Sequence, residues 1–111
     1  MNLAGKTFRA VSNSENGSIN GETEIHFSAD ETFIIGHYSG GTVVTGHVLG
    51  KRINDEEVDL LYQGATVEGT IQAGKASAVF EADQQQNIHM YLDWQWLTGD
   101  QSKGRSAWRL V

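Results

Sequence analysis

The three tryptophans of this chain carry its most distinctive binding chemistry, and all of them lie within residues 92–111. Trp94 and Trp96 are two residues apart, so on a β-strand their rings would lie on the same face. An indole ring can stack on a flat ligand, and its N–H group can donate one hydrogen bond. Together with Trp108, these residues either pack the core of the domain or form the aromatic wall of a binding pocket, and the sequence leaves both interpretations open.

Polar side chains elsewhere in the chain are candidates for the mouth of such a pocket. Tyr38, Ser39 and Tyr62 could each offer a hydroxyl group to a ligand. His37 is a further ligand-binding candidate, because we expect it to face inward among an apolar set of neighbours: Phe33, Ile35, Val44 and Val48.

His37 and His47 also raise the question of a metal site. A two-residue turn at Gly40-Gly41 would place the two imidazoles on opposite faces of a hairpin. A three-residue loop would place them on one face, but about 13 Å apart along the strands. Zinc needs nitrogen ligands at about 2.1 Å. We therefore predict no metal site from this pair.

The composition argues against several classes of function. Eight Lys and Arg residues against 14 Asp and Glu give a formal net charge of −6, whereas nucleic acids and anionic membranes attract basic surfaces. The chain has no cysteine, which excludes disulfides, thiolate metal sites and cysteine nucleophiles. The catalytic signatures GxSxG, HExxH and GxxxxGKS/T are absent from the sequence. We expect no nucleic-acid partner, no membrane partner, no cofactor and no catalytic activity.

The sequence also carries no signal for export or membrane insertion. Its first residues, MNLAGKTF, lack the charged and apolar regions of a signal peptide. No window approaches the roughly 18 consecutive apolar residues of a membrane-spanning helix. We therefore expect the protein to be cytoplasmic.

Alternation of apolar and polar residues with a period of two dominates the chain and predicts β-strands. Turn signals at Asn16-Gly17, Asn20-Gly21 and Gly40-Gly41 separate several of the alternating runs. Gly69 and Gly74 predict a bend or bulge in the sixth run. The pattern predicts one domain, residues 1–111, with eight strands at about 5–12, 19–29, 31–39, 42–51, 56–63, 67–82, 87–97 and 103–111.

Eight strands with short connections favour an all-β fold, an antiparallel up-and-down (meander) β-barrel. An open sheet of this length would leave two edges free to aggregate, and closure removes both. The interior of an eight-stranded barrel can be filled by side chains or can hold one small ligand. On the seventh strand we expect the aromatic face to point inward and the opposite face to meet solvent: Ile88, Met90, Leu92, Trp94 and Trp96 against His89, Tyr91, Asp93 and Gln95. The inverse arrangement, with the aromatic face against a second protomer, fits the same period.

Both ends of the chain resemble avidin and streptavidin. QWLTG (95–99) followed by SAW (106–108) is similar to the last hairpin of that family, and GKTF (5–8) followed by NGS (16–18) is similar to its first hairpin. Over its whole length the chain also resembles a group of small bacterial proteins that often carry the label N-acetylglutamate synthase. The matching segments are SNSENG (12–17), YSGG (38–41), WQW (94–96) and SKG (102–104).

The resemblance implies an avidin-like barrel of the calycin type, in agreement with the strand count. Avidins bind biotin in the barrel mouth between tryptophans, so the resemblance implies that Trp94, Trp96 and Trp108 form the aromatic part of a site. Thr7 and Phe8 replace an avidin tryptophan, and we do not expect biotin itself. We expect a small apolar or aromatic ligand. Association of avidin-like proteins through barrel faces implies a homo-oligomer.

Two other functions remain as alternatives. The first is the N-acetylglutamate synthase activity of the label, although the sequence lacks the glycine-rich turn and following helix that usually cradle the pyrophosphate of coenzyme A. The second is a barrel filled by its own side chains that acts as a protein-interaction module.

Overall fold

The alternating runs form eight β-strands in the computed structural model, which describes residues 1–14 and 19–111. The predicted turn at Asn16-Gly17 lies outside the described residues. In the described part of the chain, no helix has the length and apolarity that crossing a membrane would require. The strands are β1 (Thr7–Asn13), β2 (Glu24–Asp30), β3 (Ile34–Gly40), β4 (Val43–Arg52), β5 (Glu57–Thr66), β6 (Ile71–Ala82), β7 (Ile88–Trp96) and β8 (Lys103–Leu110).

Each strand pairs antiparallel with the next, and β8 pairs with β1 to close the barrel. The closing ladder joins Phe8 to Leu110 and Arg9 to Arg109. The predicted eight-stranded up-and-down barrel is therefore confirmed. The strand bounds differ from the prediction mainly at β2, which begins at Glu24 rather than near residue 19, and at β6, which begins at Ile71 rather than near residue 67.

Of the bend or bulge predicted for the sixth strand, the bulge is wrong. β6 pairs with β5 and with β7 without a shift in register. Gly69 lies before the strand, in a turn where its N–H donates to the carbonyl of Thr66 at 3.0 Å and its φ is 85°. Gly74 lies within the regular ladder, where its missing side chain leaves room for the ring of Tyr62. The register shifts fall in other ladders: β1 with β8, β2 with β3, β3 with β4, and β4 with β5.

The inward orientation predicted for His37 is also wrong. In the β3–β4 hairpin Gly40 pairs with Val43, and the register shifts between Tyr38 and Gly40, so that His37 lies directly opposite His47. The two turn residues are therefore Gly41 and Thr42, one position later than the predicted Gly40-Gly41 turn. Because adjacent residues of a strand face opposite ways, His37 is exposed on the outer surface while Tyr38 is buried. Of the neighbours predicted to share its interior face, only Val48 is buried; Phe33, Ile35 and Val44 are exposed.

The face predicted to be buried on the seventh strand does form part of the core. Met90, Leu92 and Trp94 are buried, and Tyr91 and Asp93 between them are exposed. The barrel interior thus takes its apolar side chains from alternate residues of each strand, as the period of two requires.

The two ends of the barrel interior are filled differently. Where β2, β4, β6 and β8 finish, Phe8 packs edge-to-face against Phe27 and Phe80, with ring centroids 5.9 and 5.6 Å apart. Leu3, which precedes β1, is fully buried against this core. We call this the phenylalanine end.

An ion pair fastens the chain across the phenylalanine end. The guanidinium of Arg52, at the end of β4, donates to the carboxylate of Asp30, at the end of β2, at 2.6 and 3.2 Å. The same carboxylate accepts the backbone N–H of Leu3 at 2.7 Å. The Arg52 hydrogen bond, reinforced by that of Leu3, holds the pKa of Asp30 below its usual value against the opposing effect of burial. Two strands and the N-terminal segment therefore meet at one carboxylate.

We predict that Asp30→Asn lowers the free energy of unfolding at pH 7 by about 2–3 kcal/mol. Removing one partner of a fully buried pair costs about 3–5 kcal/mol, and the Arg52 side chain here is 26% exposed. Because the folded protein lowers the pKa of Asp30, the pair stabilises the fold above the ordinary carboxyl pKa, and this contribution is lost as the pH falls through the lowered value. The variant should therefore lose less stability than the native protein between pH 5 and pH 3.

Urea unfolding followed by tryptophan fluorescence at pH 7, 5 and 3 measures both effects. Asp93→Asn is the matched control, because the pair between Asp93 and Arg105 is exposed on both sides and should contribute no more than about 1 kcal/mol. Equal losses in the two variants, or parallel acid profiles for Asp30→Asn and the native protein, would contradict this assignment.

Candidate functional site

A cavity of about 60 Å³ lies in the barrel interior opposite the phenylalanine end, where β1, β3, β5 and β7 finish. We call this the tryptophan end. Five of the residues predicted from the sequence line the cavity: Tyr38, Tyr62, Trp94, Trp96 and Trp108. The remaining lining residues are aliphatic, small or uncharged polar: Asn13, Ile19, Ile25, Val43, Val48, Leu60, Gly64, Thr66, Gln72, Leu92 and Ser106.

Four aromatic rings follow one another around the cavity. The ring centroids of Tyr38 and Tyr62 are 6.2 Å apart, and those of Tyr62 and Trp96 are 5.7 Å apart, both pairs edge-to-face. Trp96 and Trp94 follow at 5.8 Å. These separations are within the range in which aromatic pairs attract each other. The rings come from β3, β5 and β7, so the ladders of the intervening strands fix their positions.

Glycines on the neighbouring strands make this arrangement possible. A Cβ atom on Gly46 would lie 2.3 Å from the ring of Tyr38, one on Gly74 would lie 2.5 Å from the ring of Tyr62, and one on Gly104 would lie 2.3 Å from the indole of Trp94. Each of these glycines is the cross-strand partner of the residue whose ring covers it: Tyr38, Tyr62 and Trp94 respectively. The rings therefore lie along the wall of the barrel instead of filling its centre.

The protein itself supplies acceptors for two of the indole N–H groups. Nε1 of Trp94 donates to Oδ1 of Asn13 at 3.0 Å, and Nε1 of Trp108 donates to Oγ of the buried Ser106 at 2.8 Å. Neither acceptor is predicted from the sequence. The need of a buried indole for an acceptor was the one available signal, and it does not say which residue provides it. These bonds fix the orientation of the two rings at the cavity.

The hydroxyl groups of Tyr38 and Tyr62 differ in their hydrogen bonding from the indole N–H groups of Trp94 and Trp108. Within residues 1–14 and 19–111, no hydrogen bond to the hydroxyl of Tyr38 or of Tyr62 is formed. Burial raises the pKa of both phenols, and the nearby Tyr38 raises that of Tyr62 further. Both therefore stay protonated at neutral pH and retain a hydrogen-bond donor at the cavity.

The structure does not bring the other two predicted site residues to the cavity. His37 and Ser39 alternate with the inward-facing Tyr38, so both are exposed on the outer surface of β3. Ser39 pairs there with Glu24 of β2. β3 alternates without interruption, and its inward positions are taken by Ile34, Gly36 and Tyr38, so His37 faces outward.

The described part of the chain forms no metal site from a cluster of three or more side chains. No group of three or more His, Cys, Asp or Glu side chains there is placed to hold a metal ion. The carboxylate of Asp83 instead interacts with Nε2 of His89 at 2.9 Å, and this contact, with backbone hydrogen bonds, lowers the pKa of Asp83 to about 2.

Comparison with known proteins gives one match. Residues 1–111 match the model of a protein family described as avidin-like protein. No curated protein and no solved structure matches the chain. The N-acetylglutamate synthase label has no match in these comparisons and stays an untested alternative.

We predict that Gly104→Ala lowers the free energy of unfolding by about 1–3 kcal/mol, the usual cost of overpacking a core. The added methyl group would collide with the indole of Trp94. Gly21→Ala is the control, because a Cβ atom there would come no closer than 3.9 Å to another residue and Gly21 does not need a positive φ. Its effect should stay within about 0.5 kcal/mol.

A double-mutant cycle with Trp94→Phe isolates the collision, because the smaller ring lacks the indole atoms nearest to Gly104. Urea denaturation of the four proteins should give a favourable coupling energy between the two substitutions. Strict additivity would mean that the ring and the glycine do not constrain each other.

Proposed function

The chain belongs to the avidin-like protein family, and from that premise we propose that it binds a compact, uncharged, apolar or aromatic molecule in the cavity at the tryptophan end. The observation that carries the proposal is the coincidence of the cavity with the aromatic residues: Tyr38, Tyr62, Trp94, Trp96 and Trp108 all line it. A barrel filled throughout by side chains would favour the alternative of a protein-interaction module.

The size of the cavity limits the ligand. Its volume of about 60 Å³ exceeds the ~10–15 Å³ that a single water needs. It is well below the ~300–1,000 Å³ of pockets for drug-sized ligands. The ligand that fits is therefore a compact molecule of few non-hydrogen atoms, and a bicyclic ligand of the size of biotin would require the side chains to rearrange.

The chemistry of the residues that line the cavity limits the ligand further. Among the described residues, none that lines the cavity carries a charge. Burying an unpaired ion in such surroundings is strongly unfavourable, so the ligand is neutral. The hydroxyl groups of Tyr38 and Tyr62 have no hydrogen-bond partner among residues 1–14 and 19–111, so they favour a molecule with an acceptor such as a carbonyl oxygen.

Thermal denaturation with three probes of similar size tests these properties. Cyclopentanone offers an apolar body with an acceptor, cyclopentane offers the apolar body alone, and cyclopentylammonium adds a charge. We expect the melting temperature to rise most with cyclopentanone, less with cyclopentane and not at all with cyclopentylammonium. A ligand at one hundred times its Kd stabilises the native state by about 2.7 kcal/mol.

Tyr38→Phe is the matched variant for this experiment. It should reduce the difference between cyclopentanone and cyclopentane, and the Tyr38→Phe/Tyr62→Phe double variant, which removes both donors, should abolish it while leaving the response to cyclopentane intact. The proposal is contradicted when none of the probes shifts the melting temperature, or when the charged probe shifts it as much as the ketone.

A pair of valine substitutions tests the cavity through both protein stability and the response to cyclopentanone. Val48 on β4 lines the cavity, whereas Val58 on β5 is fully buried and does not. Val48→Leu should cost little stability, because the extra methylene enters free space, and should remove the response to cyclopentanone. Val58→Leu should cost about 1–3 kcal/mol by overpacking and keep the response. Chemical denaturation compares the two, and equal costs would argue that the tryptophan end is as tightly packed as the rest of the interior.

A further inference from the structure

Three of the four histidines of the chain lie side by side on the outer surface of the barrel. His26 on β2 pairs with His37 on β3, and His37 pairs with His47 on β4. All three side chains are exposed. The fourth, His89, lies on β7 and interacts with Asp83. The row is on the opposite side of the sheet from the cavity, because Ile25, Tyr38 and Val48, which follow or precede these histidines, point inward.

The imidazoles of His37 and His47 are close enough to share a ligand. Their ring centroids are 4.9 Å apart, and the ring planes are inclined at 66°. A metal bound at about 2.1 Å from an imidazole nitrogen lies roughly 3.2 Å from the centre of that ring. Two rings on one metal, at a nitrogen–metal–nitrogen angle of about 100°, therefore have centroids roughly 5 Å apart. The observed separation agrees with this geometry.

We propose that His37 and His47 form a binding site for a divalent transition-metal ion of the copper, nickel and zinc group. Neutral imidazole is a preferred ligand of these ions. The β3–β4 ladder places both rings on one face before any metal binds, so little ordering is needed. The outer surface leaves the remaining coordination positions open to water.

The sequence predicts no metal site because a turn at Gly40-Gly41 without a register shift does not bring the two histidines together. With the turn at Gly40-Gly41, the two histidines fall on opposite faces or far apart. The register in the structure makes them direct cross-strand partners, whose Cβ atoms are typically about 4.5–5.5 Å apart. The extra residue of the register shift lies in β4, where Val44 and Thr45 are both exposed, and it places His47 on the same outer face as His37.

His26 adjoins the pair but is held by another contact. Its Nδ1 forms a hydrogen bond with Oγ1 of Thr7 at 2.8 Å. A site made by two histidines is also consistent with the finding that no group of three or more metal-ligating side chains is assembled in the described part of the chain. We therefore assign the metal to His37 and His47 and place His26 outside the coordination sphere.

Isothermal titration calorimetry of the full chain without an affinity tag tests the site, with NiCl₂ and CuSO₄ as the probes. We expect one equivalent of metal per chain. His37→Gln and His47→Gln should each weaken binding at least tenfold, whereas His89→Gln, the matched control, should leave it unchanged. His26→Gln should leave binding nearly unchanged, because His26 is not a ligand.

Electron paramagnetic resonance of the copper-loaded protein gives a direct view of the ligands, since each coordinated imidazole nitrogen splits the signal. Two nitrogens in the native protein and fewer in His37→Gln or His47→Gln would support the site. Absence of saturable binding, undiminished binding in both variants, or loss of binding in His89→Gln or His26→Gln would overturn it. The His37→Gln/His47→Gln double variant should keep the thermal response to cyclopentanone, so failure of the metal site and failure of the cavity are separate results.

Discussion

Pairing between β1 and β8 is the constraint on which the rest of the structure depends. It gives hydrogen-bond partners to the two strands that would otherwise be edges. It also limits the interior to the width of eight strands, in which side chains just fill the space or leave room for one small ligand. Core side chains and any ligand must therefore share the same interior volume. The residues at each end of the barrel decide how much of that volume the side chains fill.

Side chains fill the interior at the phenylalanine end and leave part of it free at the tryptophan end. At the phenylalanine end, Phe8, Phe27 and Phe80 point their rings at one another, and the Asp30–Arg52 pair ties the chain across them. At the tryptophan end the rings instead lie over glycines of neighbouring strands, along the wall. A glycine in a strand interior is usually unfavourable, but here the ring that covers it supplies the apolar contacts that its own side chain would have made. The space that the rings vacate at the centre is the cavity.

Features that depend on the period of two could be predicted from the sequence, and features that depend on register could not. The alternation at Met90, Leu92 and Trp94 was sufficient to identify a buried face, and the strand count was sufficient to predict closure. Which residues of β4 share a face with His37 depends on the position of the β3–β4 turn and on the extra residue in β4, because a shift of one residue turns every following side chain of a strand to the other face. The covering of Gly46 by Tyr38 and of Gly104 by Trp94 depends on the same information, because it joins residues on different strands.

The central claim is that the barrel is hollow at its tryptophan end and solid at its phenylalanine end. A crystal structure determined under xenon pressure tests this most directly, because xenon enters apolar cavities without needing any polar partner. The claim predicts xenon density within contact distance of Tyr38, Tyr62 and Trp96, and none between Phe8, Phe27 and Phe80. Density confined to the phenylalanine end, or a tryptophan end from which xenon is excluded, would contradict it.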